Sequence, residues 1–189
     1  MLSNKFKWIV LGFFLCAPIT NAEVLWKRSS MLKNDLAKAL SLPPDKMCFE
    51  VGTYSCIDLV HNFALGGRDP FARAQYQSMD KPSQLTPPSF ERTILLSCIE
   101  RIKQDAASSP AEVFRFYPLN KPLNAVGDIE IGQQIQELYQ RFYQRPATEA
   151  ELKTALTLAD RQRFGATGMD FFSQALCLAV GSQWAYLFF

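Results

Sequence analysis

The sequence predicts an all-α fold: a compact domain of about five to six helices, with a helical hairpin and a closing apolar helix at its C-terminal end, stapled by disulfides. Apolar residues recur three and four apart along most of the chain, and strand-type alternation is confined to a few residues. The N-terminus carries an export pattern whose removal leaves an even number of cysteines. At 189 residues, 48% hydrophobic and 20% charged, the chain is long enough to bury a core and has no charge run that argues for disorder.

Lys5 and Lys7 precede the apolar run 8–17, which is followed by Pro18 and by Thr20-Asn21-Ala22, small residues of the kind a signal peptidase reads. Residues 1–22 therefore read as a signal peptide cleaved after Ala22, and residues 23–189 as a single helical domain, periplasmic or secreted. The apolar run is about half of the ~20 residues that span a bilayer, so no integral span is expected after cleavage. Two alternatives are an uncleaved anchor and lipidation at Cys16, although Leu15 fits poorly before a lipidated cysteine. Removing Lys5 and Lys7 from 20 basic and 18 acidic residues leaves the mature domain formally neutral, which argues against nucleic acid as a partner.

Cys48, Cys56, Cys98 and Cys177 remain, and three pairings are possible. Cys48 with Cys56, a short loop turning through Gly52, is favoured, leaving Cys98 with Cys177. The second bridge closes a loop of about 80 residues, for which chain entropy gives roughly 4 kcal/mol.

Along the mature chain, Ser29-Ser30 start and Pro43-Pro44 stop a helix whose face carries Leu32, Leu36, Ala39 and Leu40. Leu59, Val60 and Phe63 suggest a short helix from Cys56 that Gly66-Gly67 ends. Residues 66–88, with four prolines, read as a long surface loop. Ser89 is expected to cap a helix to about Ala107 with Ile94, Leu95, Cys98, Ile99 and Ile102 in one stripe. Residues 112–117 alternate briefly without an evident partner strand. Ile131, Ile135, Leu138, Tyr139 and Phe142 make a further helix that Arg145-Pro146 ends, and Thr148-Glu-Ala-Glu151 is a capping box opening the next, with Leu152, Leu156 and Ala159. The short connection predicts a helical hairpin. A final helix from Met169 to about Phe188 places Phe172, Leu176, Val180 and Trp184 four apart, facing the core.

Candidates for chemistry are few. His61 is the only histidine, and Asp58 three residues before it stands at helical spacing to fix its tautomer; a base with its orienting acid is the functional reading, a loop-anchoring histidine the structural one. With one histidine and no Cys-x-x-Cys spacing there is no zinc set and no haem-attachment motif, so neither metal nor cofactor is expected. Hydrolase elbows, His-Glu-x-x-His and phosphate loops are absent as well. Glu149 and Glu151 are explained by the capping box. Phe188 and Phe189 end the chain either as core or as an exposed aromatic tail.

The segment from Leu138 to Leu152, with its Arg-Pro turn and capped helix, and the closing segment from Ala175 to Phe188 resemble secreted bacterial helical domains of the planctomycete cytochrome-associated type. Gln183 and Trp184 depart from that family's closing motif. The resemblance covers about 50 residues and implies a helix, a stop, a cap and a core stripe. Such domains often accompany haem-binding modules, and since this chain lacks a haem motif the resemblance carries no redox role over to it.

Two functions follow as expectations. The leading one is a non-enzymatic exported interaction or accessory module of an envelope or periplasmic assembly, with an envelope protein as partner. The alternative is a periplasmic enzyme or small-ligand-binding protein with a site around Asp58, His61 and the 66–88 loop, where Arg68 and Asp69 would complete a pocket.

Overall fold

A computed structural model describes residues 25–71, 74–163 and 168–188, so the expectation for residues 1–22 lies outside the described residues. Among the described residues the fold is all-α except for one two-stranded hairpin, and both favoured disulfides are present. No described helix is long and apolar enough to cross a membrane.

Helix α1 spans Ser29–Ala39 because Leu32, Leu36 and Leu40 form a stripe with no exposed surface. Its end is a complete Schellman motif: Ser41 takes φ +49, its amide donates to Lys38 O, and the Leu42 amide donates to Ala37 O. Then comes the hairpin of β1 (Phe49–Glu50) and β2 (Tyr54–Ser55), which the alternation pattern is too short to reveal. The expected helix after Cys56 is only a five-residue π-helical turn, Cys56–Val60, and Leu59 and Val60 point outward instead of forming a buried face.

Helix α2 runs over Thr86–Ala107 and begins before the expected cap Ser89. Pro87 and Pro88 sit in its first turn, where a missing amide proton breaks no helical bond. Ile94, Cys98 and Ile102 are buried as expected. Residues 112–117 do not form a strand, for a specific reason. The amides of Glu112, Val113 and Phe114 donate to the Asp105 carboxylate at 2.8, 3.1 and 2.8 Å, so α2 occupies the donors a sheet would use.

Helix α3 (Asp128–Tyr143) and helix α4 (Glu149–Arg163) form the expected hairpin. The capping box is present in both directions: Thr148 N donates to Glu151 Oε2 at 2.8 Å and Glu151 N donates to Thr148 Oγ1 at 3.3 Å. Helix α5 covers Met169–Gly181 and packs along α2, where Cys98 and Cys177 join the two helices with both sulfurs buried. Gly181 permits the close approach: a Cβ there would stand 2.9 Å from Ile94 and Phe142. The closing helix does not continue to Phe188. It breaks at Ser182–Gln183 and restarts as the single turn α6 (Trp184–Leu187), which takes Trp184 out of the Phe172, Leu176, Val180 register and leaves it 50% exposed.

The first and last described segments meet. Lys27 N donates to Leu187 O at 2.7 Å, Trp26 bridges to Phe188, and Trp26 packs against Gly66, whose φ of +76 and missing Cβ admit the indole ring. One cluster of buried apolar side chains extends from Trp26 to Leu187.

Candidate functional site

Residues 48–60 build a small knob on the surface. Cys48 and Cys56 close it at a Cα separation of 5.5 Å, and the Cys56 amide donates to Cys48 O across its neck at 3.1 Å. At the tip, Thr53 N donates to Glu50 O at 3.1 Å, with Val51 at φ +51 and Gly52 at φ +72. Positive φ at both central residues is the pattern of a type I′ turn, in which Asn-Gly is preferred because it tolerates the left-handed region. Valine does not: a β-branched residue there is a backbone outlier, and the left-handed conformation costs a non-glycine residue roughly 1–2 kcal/mol. Val51 is also 90% exposed, so burial within the chain does not offset that cost. Phe49, Tyr54, Leu59 and Val60 are exposed on the same knob.

The knob is fixed to the body by Glu50, whose carboxylate is buried at its base. Arg92 of α2 grips it through Nε and through Nη2, the latter at 2.6 Å, and His61 Nε2 lies 3.1 Å from Oε1. The Arg92 guanidinium holds the Glu50 carboxyl below its ordinary range, against the opposing effect of burial, and Glu50 in turn raises Arg92. A carboxylate held ionised by a bidentate arginine is a clamp, with its lone pairs already committed. Nothing local in the sequence marks this pair, because Glu50 and Arg92 are 42 residues apart.

The sequence candidates separate. Asp58 accepts from Lys33 Nζ at 2.6 Å and from the Ser55 hydroxyl at 2.9 Å, while His61 faces Glu50. Ser55 caps the π-helical turn, its hydroxyl accepting from the Asp58 amide at 3.2 Å, and the residue that orients the imidazole is Glu50. Arg68 is exposed and Asp69 pairs with Gln75 in an isolated bridge, so the 66–88 loop folds back on itself beside Gly67. Two cavities of about 600 Å³ each flank α4, and neither has Asp58, His61, Arg68 or Asp69 in its wall.

The chain matches no protein-family model, no curated protein and no solved structure. The site is therefore argued from its own chemistry. Among the described residues no three His, Cys, Asp or Glu side chains gather as a metal-holding group, and Cys48, Cys56, Cys98 and Cys177 are all in disulfides. Glu151 is tied to Arg145 at 2.7 and 2.8 Å, and this pair with the Thr148 bonds pushes its carboxyl down to about 2. Glu149 is exposed in the first turn of α4, where a negative charge suits the helix dipole. At the C-terminus Phe188 is half-buried and stacks on Trp184 with ring centroids 5.9 Å apart, so Phe188 belongs to the junction of the chain ends more than to a free tail; Phe189 lies outside the described residues.

Proposed function

We propose that this is an exported, non-enzymatic helical module that docks on a protein of the cell envelope through its Cys48–Cys56 knob. Val51 carries the reading. A strained, β-branched, almost fully exposed residue at a tight turn gives nothing back to its own fold, and such outliers concentrate where a surface is used. The neighbouring exposed Phe49, Tyr54, Leu59 and Val60 supply the apolar and aromatic contacts that anchor protein interfaces. The rigid disulfide neck and the Glu50–Arg92 clamp hold the knob in one shape, which lowers the entropy lost on docking. Export rests on the N-terminal pattern of residues 1–22 and on two paired cysteine sets, which persist in oxidising compartments.

The test is photo-crosslinking in intact cells from position 51. One protein should recur, its crosslink should fall at least tenfold in Leu59→Asp, and Ile129→Asp, an equally polar change at an exposed site away from the knob, should leave it unchanged. A crosslink indifferent to Leu59→Asp would overturn the docking reading. Non-reduced intact mass of the exported protein should begin at Glu23 with four bridged cysteines; a retained 1–22 segment would make the protein membrane-anchored.

A further inference from the structure

Helix α4 is poorly seated for a helix of the core. Ala159 is its one fully buried residue, and Leu152, Ala155, Leu156 and Leu158 are only half-buried against the cluster. On its α5 side this leaves a cleft of about 600 Å³, a volume that suits a small ligand. Ala155 and Leu158 form one wall, and Leu176, Ala179 and Val180 of α5 form the other.

The two ends differ in charge. Glu151 and the Tyr139 phenol line the cleft near the start of α4, where Glu151 is already neutralised by Arg145 and the phenol oxygen accepts from Gln183 at 2.8 Å. Arg161 lines it ten residues further along, about 15 Å at the helical rise. Among the described residues Arg161 makes no hydrogen bond or ion pair, whereas Arg163 two residues on is held by Asp128, Asp160 and the Val126 carbonyl. An apolar trough with one uncommitted guanidinium at its end complements a molecule with an apolar chain and an anionic head.

We propose that the α4–α5 cleft binds a single-chain amphiphile with an anionic head, the chain lying on Ala155, Leu158 and Ala179 above the buried Leu176 and Val180, and the head on Arg161. The Arg145 guanidinium at the other end is already taken by Glu151, so Arg161 is the cation left for the head, and this fixes the direction of the ligand. A fatty carboxylate and a single-chain phosphate share this chemistry. The site is built from elements other than the knob, and its failure would leave the docking reading untouched.

The experiment is a calorimetric and NMR titration of the disulfide-bonded mature protein with dodecanoate, dodecyl phosphate and dodecyltrimethylammonium, each below its micelle concentration. The anionic probes should bind one to one, shift the amides of Ala155, Leu158 and Ala179, and bind at least tenfold more tightly than the cationic probe. Arg161→Glu should weaken the anionic probes at least tenfold, and Ala179→Trp, which fills the trough from an exposed position, should abolish binding. Thr157→Trp serves as a second blocking variant if Ala179→Trp does not fold. A preference for dodecanoate over dodecyl phosphate, or the reverse, identifies the source of the head group. Equal binding of the cationic probe, insensitivity to Arg161→Glu, or shifts confined to residues 49–60 would overturn the proposal.

Discussion

The two disulfides of this molecule are both buried, but what they constrain differs. Cys98–Cys177 joins α2 to α5 where both residues have no exposed surface, and on α2 the Thr93 and Ser97 hydroxyls donate to carbonyls one turn back while Asp105 accepts from three amides and pairs with Arg101. Cys48–Cys56, also buried, closes a loop of sequence separation eight that carries exposed apolar side chains, one of them in a strained backbone. The same covalent bond therefore joins two core helices in one place and in the other fixes the shape of a turn whose outward side chains the monomer does not bury. A bridge is informative about function when the residues it constrains are poorly used by their own fold.

That contrast can be broken at several points. Replacing Cys98 and Cys177 by Ser should cost roughly 4 kcal/mol in urea denaturation, and replacing Cys48 and Cys56 roughly 2.5, because loop-closure entropy grows with the length enclosed. Equal losses would mean that the knob supports the core after all. Asp105→Ala should cost about 3 kcal/mol or more, since it strands the buried Arg101 guanidinium and three amides; a loss under about 1 kcal/mol would mean that Glu112, 3.5 Å from Arg101, takes over.

Smaller effects belong to the knob. Glu50→Gln should cost about 1.5 kcal/mol, the scale of a hydrogen bond to a charged group, and should disturb amide shifts of residues 48–61 more than those of α5. Because the folded Glu50 carboxyl is held below its unfolded value of 4.5, its contribution is present above that pH and is lost as pH falls through the lower folded value. The Glu50→Gln variant should therefore lose less stability than the parent protein across that acid range. Val51→Asn is the smallest change and runs in the other direction: relieving the left-handed valine should raise stability by about 1 kcal/mol while weakening a photo-crosslink placed at the neighbouring exposed position 54. A loss of stability would show that Val51 serves the fold, and would remove the argument for docking.

The helices were legible because each is specified locally. The Leu32–Leu36–Leu40 stripe, the Thr148–Glu151 box and the Arg145-Pro146 stop are short-range patterns that place α1, the end of α3 and the start of α4, although α1 ends at Ala39, three residues before the expected end at Leu42, because Ser41 turns left-handed. The break at Ser182–Gln183 was not legible: apolar spacing continues through it, and only the docking of Tyr186 and Leu187 onto the chain's beginning turns the last residues away from Trp184. Nor did spacing reveal the partner of His61, since Asp58 is nearer in sequence but Lys33, reaching across from α1, claims it.

By itself the sequence determined the helical class, the Thr148–Glu151 capping box and the pairing of Cys48 with Cys56 and of Cys98 with Cys177 as the favoured solution, because periodicity, capping chemistry and loop length act between residues a few positions apart or depend on chain length alone. Only the tertiary structure decided that Asp105 cancels a strand, that Glu50 and Arg92 clamp the knob, that α4 stands off α5, and that Val51 is left exposed in a strained turn. Each of those depends on which side chain arrives first at a group far away in the chain, and that competition is settled by packing in three dimensions.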